Sequence, residues 1–352
     1  MIRLDARVRR IAGRPVVAAV LAAAAVPAAR AEEPEPVFFE IGAASTGGTS
    51  FAIAKLLAKA ISHPPGSRAC DAGGRCGAPN VLGRARSSDG AVSNVRRIAQ
   101  GELPSALVQG DVAASAHAGT WLFAQDPPMP GLRAIANLFP QPVHLAVRAE
   151  SHVDAVDELA GRRVGVGAPG SGTRVTARAI LEAHGVGMDA IAARDLDTGA
   201  AADALQNGAL DAVFFVGGSP LPAMGTLMQR GGVRLVPISA TAAKRLAERD
   251  PAMRHHTIPA GTYPGMDAPV RTLAVSAQWV VHARVPAGRV YALTRALWRP
   301  ANREMLHRGH PLGKRITLDT VLDGLALPVH PGARRFYVER GMLPDSEHAA
   351  DG

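Results

Sequence analysis

The sequence predicts an α/β fold made of two hinged units. Strand patterns alternate with helical ones along the chain, which is typical of largely parallel sheets. In each unit a loop rich in glycine and hydroxyl residues follows a buried strand and precedes a helix, at residues 45–50 and 170–173. Extended segments near residues 143–149 and 272–282 join the units. Such an arrangement indicates a protein whose two domains close on a ligand.

The first unit is predicted from apolar runs and their periodicity. A buried strand over residues 37–43 leads into a helix over 51–61, where apolar residues recur at helical spacing. Residues 70–88 are loop-rich. A helix over 95–100 ends at Gly101, a strand covers 106–109, and another helix runs toward Phe123. Two further strands are predicted at 132–138 and 143–147, on either side of a Phe-Pro-Gln-Pro segment.

The second unit repeats the alternation. Strands are predicted at residues 163–167, 212–216 and 233–237, and a β-rich segment at 272–282. Helices are predicted up to His184 and over 200–207, 242–249 and 289–297, and the tail from Pro311 is mixed.

The N-terminus has the pattern of a secretory signal peptide over residues 1–31. Arg3, Arg7, Arg9 and Arg10 form a positive n-region, and an apolar run covers residues 15–29. The residues Ala29-Arg30-Ala31 supply a small-x-small cleavage site before Glu32. The run is shorter than the ~20 apolar residues that span a bilayer. We therefore predict export to the periplasm.

Removal of this segment changes the charge of the chain. Six arginines and one aspartate are lost, so the formal net charge falls from +9 to +4. No long Lys/Arg run follows, and the sequence therefore does not favour a nucleic-acid partner.

Cys70 and Cys76 are the only cysteines and lie in a Gly-rich polar stretch. In an oxidising compartment a close pair of this kind predicts a disulfide. No His or further Cys lies nearby, so a metal site is not expected there.

The two glycine loops carry the strongest chemical signal. Residues 165–170 read Gly-Val-Gly-Ala-Pro-Gly and formally match a dinucleotide motif, but Pro169 removes one N–H from the loop. The first loop lacks the Lys of a P-loop. Both loops nevertheless place N–H groups, hydroxyls and a positive helix end before an anion. A helix that is merely capped by Ser or Thr is the simpler alternative.

No nucleophile, base or metal pattern accompanies these loops. Ser171 has a glycine on each side, which is not the spacing of a nucleophile elbow. His144, His255 and His256 have no matched carboxylate or HExxH context. We expect no catalytic residues, no metal and no cofactor.

Several segments together resemble the solute-binding proteins of the TAXI family, the extracytoplasmic receptors of one branch of TRAP transporters. The segments that carry the resemblance are residues 42–49, 93–94, 109–112, 143–145, 167–173, 258–265 and 327–333.

The resemblance implies the two-lobed α/β fold of periplasmic binding proteins of the second type, with the ligand in the interdomain cleft. Lobe I would comprise residues 32–147 and 273–352, and lobe II residues 148–272. It implies a receptor that captures a small organic anion, such as glutamate or another carboxylate, for a TRAP-type membrane permease. Two alternatives stay open: an exported α/β enzyme acting on a carboxylated or phosphorylated substrate, and a ligand-sensing partner of a membrane sensor kinase.

We expect the ligand to contact both glycine loops and several segments that carry the resemblance. The predicted ligand-binding residues are Ser45, Thr46, Gly47, Gly48, Thr49, Asn94, Gln109, Asp111, His144, Gly170, Ser171, Gly172, Thr173, Gly217, Thr262 and Tyr263. Within this set, backbone N–H groups and the hydroxyls of Ser171 and Thr173 are expected to hold the anion. Arg148 or Arg174 is the alternative partner for a carboxylate.

Overall fold

The computed structural model of the protein describes residues 35–250 and 252–345. The predicted signal peptide lies outside these residues. The strands within the described chain are β1 Val37–Gly42, β2 Ser62–His63, β3 Ala78–Pro79, β4 Val81–Arg86, β5 Ser105–Gln109, β6 Leu132–Arg148, β7 Arg163–Gly165, β8 Ala192–Arg194, β9 Ala212–Val216, β10 Val233–Val236, β11 Arg254–Ile258 and β12 Val270–His282. The α-helices are α1 Thr49–Ile61, α2 Ala91–Gln100, α3 Gly110–Ala118, α4 Gly172–Ala183, α5 Thr198–Gln206, α6 Pro222–Arg230, α7 Ala240–Arg249, α8 Ala287–Leu297, α9 Pro300–Gly309 and α10 Pro331–Glu339.

The strands form two sheets with the same internal order. Sheet A runs β4-β1-β5-β12-β6, with β2 and β3 beyond β4 and β11 paired with β12. Sheet B runs β8-β7-β9-β6-β10. In each sheet one antiparallel strand, β12 in sheet A and β6 in sheet B, stands between the third and fourth parallel strands. We call sheet A with α1–α3 and α8–α10 half A, and sheet B with α4–α7 half B.

Two long strands connect the halves. Strand β6 pairs with β12 as far as Pro142 and Ala274, and from Val143 onward it pairs with β9 and β10 instead. The sequence predicted two strands separated by a break at this place, which is wrong, because the chain stays extended through Pro140 and Pro142. Their missing N–H groups are tolerated where one strand changes its pairing partners. The predicted lobe boundaries stay a prediction.

Helices cover both faces of both sheets because buried side chains alternate along the strands. In β9, Phe214 packs with α4 and α7, whereas Phe215 packs with α5 and α6. In β12, Trp279 faces the core under α1 and α8, and Val280 faces the core under α2 and α3. This two-residue period places each strand in two cores at once. Each large apolar side chain so buried contributes about 1.5–3 kcal/mol to folding.

Strand β4 lies inside the segment that the sequence predicted to be loop-rich, and that prediction is wrong. It pairs with β1 in parallel from Val81 to Arg86. The usual alternation is obscured because Arg84 and Arg86 are exposed and Gly83 interrupts the apolar pattern. A Cβ on Gly83 would overlap the Ala58 carbonyl of α1, so the glycine lets this helix pack closely on the strand.

The predicted disulfide is confirmed. Cys70 and Cys76 are bonded, with 4.7 Å between their Cα atoms, in the loop between β2 and β3. Within the described residues no helix combines the length and apolar character needed to cross a bilayer. The same part of the chain contains no group of three or more His, Cys, Asp or Glu residues placed to hold a metal.

Candidate functional site

A cavity of about 620 Å³ lies between half A and half B. Its walls are the loops at the carboxyl ends of the parallel strands, where open α/β sheets bind their ligands. From half A it is lined by residues 43–46, 48–50, 87–91 and 107–109. From half B it is lined by residues 167–168, 171–173, 196–198, 201, 214–216 and 221. Gln141 and Ala277, on the two connecting strands, complete the lining.

Six helices of the described chain begin at this cavity. The lining includes the first residues of α1, α2, α4 and α5 and the residues that precede α3 and α6, namely Thr49, Ala91, Gly172, Thr198, Gln109 and Leu221. The first N–H groups of a helix have no partner within it, and the helix dipole adds positive potential there. The cavity is therefore surrounded by groups that favour a negative charge, although no basic side chain lines it.

These helix ends differ in how far the protein already caps them. Asp197 caps α5, since its carboxylate accepts from the Ala200 N–H at 2.9 Å. The Gly170 carbonyl accepts from the N–H groups of Val92 and Ser93 in α2, at 3.0 and 3.2 Å. Helix α1 instead follows Gly48, which supplies no side-chain cap. Helix α4 has one capping bond, from the Arg174 N–H to the Ser171 hydroxyl at 3.2 Å. Helices α3 and α6 also lack a side-chain cap, whereas α4 and α5 have one each. The cap of α4 is a neutral hydroxyl, in contrast to the carboxylate that caps α5.

Two buried carboxamides contribute to the inner wall of the cavity. Gln109 is 6% exposed and Gln141 is 4% exposed. The Nε2 of Gln141 donates to the Ser50 hydroxyl at 3.1 Å. Within the described residues, the Oε1 atoms of both glutamines accept no hydrogen bond. Both oxygens are themselves enclosed by protein atoms, so the two side chains contribute to the wall of the cavity through their other atoms.

The two halves contact each other directly around the cavity. Besides the Gly170 bonds to α2, the Thr49 hydroxyl accepts from the Gly218 N–H at 3.0 Å. The Gln109 amide oxygen lies so close to Gly172 that a Cβ at this glycine would overlap it. The structure therefore represents a closed arrangement of the halves.

Residues 41–341 match the model of the NMT1-like family. The matched segment includes every loop that lines the cavity and all strands apart from the first four residues of β1. The chain belongs to the NMT1-like family.

Solved structures share the fold of this NMT1-like protein. A protein from Bordetella bronchiseptica RB50 is 13% identical, with 89% of this chain and 86% of that chain covered and a TM-score of 0.51. PhnD1 from Prochlorococcus marinus (MIT 9301) in complex with methylphosphonate is 11% identical, covering 87% and 99%, with a TM-score of 0.49. The periplasmic binding protein BugD is 15% identical, covering 88% and 94%, with a TM-score of 0.49. At such identities the likeness concerns the fold alone.

The predicted fold is confirmed: the NMT1-like protein has the two-lobed α/β fold of periplasmic binding proteins of the second type, with a cleft between the lobes. This fold and family agree with the binding-protein class predicted from the sequence. The narrower assignment to the TAXI family stays a prediction.

Half of the predicted ligand-binding residues line the cavity. They are Ser45, Thr46, Gly48, Thr49, Gln109, Ser171, Gly172 and Thr173. Gly47, Gly170 and Gly217 adjoin lining residues in the chain without belonging to the lining themselves. The binding role of the predicted residues stays a prediction.

The remaining predicted residues do not belong to the lining and make bonds within the protein. The Asn94 amide donates to the carbonyls of Ala43 and Leu107, at 2.6 and 3.2 Å, and so holds the loop after β1. Thr262 donates to the Pro259 carbonyl at 2.6 Å and closes a turn. These contacts support the site from outside it.

His144 and Tyr263 form a buried pair behind the start of α6. The Tyr263 hydroxyl accepts from the Leu221 N–H at 2.8 Å and lies 2.8 Å from His144 Nε2. Burial lowers the pKa of His144 from 6.5 to about 4. The imidazole is therefore neutral near pH 7 and shares a hydrogen bond with the tyrosine hydroxyl through Nε2. The pair positions Leu221, which lines the cavity.

Asp111 is fully buried at the start of α3, where the two halves meet. Its Oδ2 accepts from the Thr176 hydroxyl of α4 at 3.2 Å. Burial, together with the smaller effect of the Asp250 charge, raises the pKa of Asp111 from 3.8 to about 7. The carboxyl thus titrates near neutral pH.

The alternative arginine partners are not part of the cavity lining and form ion pairs within the protein. Arg148 pairs with Glu150, Arg174 pairs with Asp195, and neither arginine belongs to the lining.

The sequence analysis missed several lining residues, namely Ser87, Ser88, Asp89, Gln141, Asp197, Thr198, Phe214, Phe215 and Leu221. A capping signal was available for Asp197, because an aspartate directly before a helix is a preferred N-cap. The lining residues in the loop after β4 could not be predicted because β4 itself was not predicted.

Proposed function

We propose that the protein is a periplasmic receptor that closes its two halves around one small organic solute bearing an anionic group. The observation that carries this proposal is the convergence of helix starts from both halves on one polar cavity. Anions bind at such ends without a full counter-charge. A cavity of about 620 Å³ also has the size typical of small-molecule sites.

The anionic group is placed between the starts of α1 and α4. Helix α1 has no side-chain cap, the cap of α4 is a neutral hydroxyl, and Ser45, Thr46, Ser50 and Thr173 line the cavity beside these two ends. A carboxylate there would accept hydrogen bonds from backbone and side-chain donors of both halves. Ligand binding and closure are then the same event, because the donors come together only when the halves meet.

The receptor would deliver its ligand to a membrane permease. The signal-peptide pattern of residues 1–31 supports a periplasmic location, and the resemblance to TAXI proteins supports a TRAP-type permease as the partner. Capture by a closing two-lobed protein fits such delivery, since opening of the halves would release the solute.

The proposal is tested by direct binding. Purified protein is screened by thermal shift against amino acids, monocarboxylates and dicarboxylates, and each hit is measured by calorimetry. A ligand at 100 times its Kd should add about 2.7 kcal/mol to the free energy of unfolding. Small-angle scattering should show a smaller radius of gyration with the ligand than without it. Chemical turnover of a hit, or a complete absence of hits, would contradict the receptor proposal.

A further inference from the structure

Helix α3 of half A meets helix α4 of half B directly beside the cavity. Gln109 precedes α3 and lies against Gly172, the first residue of α4. Further along both helices, the Asp111 carboxyl faces the Thr176 hydroxyl at 3.2 Å. Val175 of α4 packs there with the apolar core of half A. We call Asp111, Val175 and Thr176 the seam between the halves.

The Asp111 carboxyl is enclosed at the seam and has few hydrogen-bond donors. Asp111 and Thr176 are both 0% exposed, and within the described residues Asp111 Oδ1 has no hydrogen-bond partner. The Thr176 hydroxyl lies 3.2 Å from Asp111 Oδ2 and 3.2 Å from the Gly172 carbonyl oxygen, but it has one proton for these two acceptors. A proton on Oδ2 removes this conflict, because Asp111 then donates to Thr176 while Thr176 donates to Gly172. The closed seam therefore fits a neutral carboxyl better than a carboxylate.

The charges around the seam do not offset a carboxylate. The charged or titratable side chains on α3, on α2, α4, β5, β12 and residues 121–123, which pack against it, and at the end of α7 are His117, Arg96, Arg97, Arg174, Arg178, Glu182, Arg271, His282, Arg249 and Asp250. The four arginines of α2 and α4 each pair with another carboxylate, and Arg249 lies over the Trp121 ring. Asp250 is the one member of this set whose charge acts on Asp111, and the two charges have the same sign.

We propose that the two halves take up one proton at Asp111 when they close, so that acidic pH favours the closed state that holds the solute. This inference rests on the proposed receptor function, because closure is the step that it modifies. In the open state the seam is exposed to water, and the carboxyl is hydrated and ionised. On closing, the carboxylate would lose its hydration without a counter-charge, and a proton that passes from the buffer to Oδ2 removes this cost.

The direction of the pH effect follows from the two states of Asp111. Burial and the Asp250 charge raise the pKa from 3.8 to about 7 in the closed arrangement, although the N–H groups of Val112 and Asp111 and the Thr176 hydroxyl favour the charged form. Between about pH 4 and 7 the closed state therefore holds a proton that the open state has lost. The advantage of closing is complete below about pH 4 and is lost as pH rises through about 7.

Calorimetry measures the proton directly. The probe is L-glutamate or, if glutamate does not bind, the tightest-binding compound of the panel. The binding heat in two buffers of different ionisation enthalpy gives the number of protons taken up. This number should be about one at pH 5.5 and about one tenth at pH 8, and the Kd should be about thirtyfold lower at pH 5.5 than at pH 8.

Asp111→Asn isolates the contribution of this carboxyl. Asparagine has the shape of the neutral carboxyl and cannot ionise, so the proton uptake and the change in Kd with pH should both be lost. Comparison of the two proteins with the same compound removes any titration of the compound itself. Asp189→Asn, an exposed aspartate outside the cavity lining, is the matched control and should behave as the wild type. If Asp111→Asn does not fold, Asp250→Asn replaces it. Without the like charge, the midpoint of the pH dependence should lie at lower pH than in the wild type.

Scattering by the ligand-free protein separates this inference from the receptor proposal. The radius of gyration of the wild type should be smaller at pH 5.5 than at pH 8, and that of Asp111→Asn should be equal at both. Where a compound binds, calorimetry decides: binding without proton uptake, or uptake that persists in Asp111→Asn, would overturn the proton inference and leave the receptor function intact. If no compound binds, the receptor proposal fails, and equal radii of the wild type at the two pH values would overturn the proton inference as well.

Discussion

At the residue scale, Gly172 decides how closely the halves meet. A Cβ at this position would overlap the Gln109 amide oxygen across the cleft. We predict that Gly172→Ala folds normally but binds its ligand about 5- to 150-fold more weakly, since overpacking of this kind costs about 1–3 kcal/mol. Calorimetry with the tightest ligand of the panel measures the effect.

Gly225→Ala in α6 is the matched control. Nothing lies within 4 Å of the Cβ that this change adds, and the position is inside a helix. Its affinity should be unchanged, and its stability should rise by about 0.5–1 kcal/mol. Equal affinities of the two variants would mean that the Gln109 amide moves aside freely, and the close approach would then have no role in binding.

Single residues also show what the sequence left open. Gln109 was predicted as a site residue, whereas Gln141 was not, although both amides line the same cavity. Gln141 stands between Pro140 and Pro142 in a segment that was interpreted as a break between strands. Its exposure to the cavity depends on β12 and on Ser50, which are distant in the chain, so no local pattern identifies it.

At the element scale, the start of α4 is expected to hold the ligand's anionic group. The Thr173 hydroxyl lines the cavity and makes no hydrogen bond to the described part of the protein. We predict that Thr173→Val weakens binding about ten- to a hundredfold, because a charged group loses one donor, while the fold is unchanged. Titration calorimetry and circular dichroism of the variant test both parts.

Two further substitutions test whether the cap of α4 and the charge of Arg148 contribute to ligand binding. Ser171→Ala removes the α4 cap and should lower the free energy of unfolding by about 0.5–2 kcal/mol. Arg148→Gln should leave affinity unchanged, since Arg148 pairs with Glu150 outside the cavity. If Arg148→Gln abolished binding and Thr173→Val did not, an arginine would hold the anion and the helix-start account would be wrong.

Elements were predictable where the local pattern and the tertiary environment agree. The strand and helix flanking the first glycine loop appear as β1 and α1, and the predicted start of α4 follows its capping serine. Strand β4 was not predicted because Gly83 interrupts its apolar pattern, and this glycine is explained only by the close packing of α1 on the strand. The continuity of β6 through two prolines is likewise set by pairing with β12, a contact between segments more than a hundred residues apart.

At the scale of the whole molecule, two buried groups give opposite pH dependences. The raised pKa of Asp111 means that the folded protein holds a proton between about pH 4 and 7 that the unfolded chain has lost, so stability falls as pH rises. The lowered pKa of His144 means that the unfolded chain binds the extra proton between about pH 4 and 6.5, so stability rises with pH. Each slope is at most about 1.4 kcal/mol per pH unit. The contributions of these two groups therefore nearly cancel.

Substitution of one of these two groups should reveal the pH dependence that the other contributes to stability. The Asp111→Asn variant lacks the contribution to stability that decreases as pH rises. Its free energy of unfolding should therefore increase relative to that of the wild type between pH 4.5 and 6. Urea titrations at several pH values measure this difference. His144→Gln should show the opposite trend. Parallel profiles for wild type and Asp111→Asn would indicate that the buried carboxyl does not titrate in this range.

The two connecting strands also determine how this receptor could be recombined with another. Half B is not a detachable module, because Val143, Leu145 and Val147 in its core belong to the same strand whose earlier residues, Ile135 and Leu138, lie in the core of half A. A chimera that transplants half B must therefore be joined within β6, near Pro142–Val143, and within β12, near Ala274, where the pairing changes. Junctions placed in surface loops would divide the core of one half between two parental sequences. Ligand specificity is therefore best exchanged without moving half B at all, by replacing only the cavity loops and keeping β6 and β12 whole.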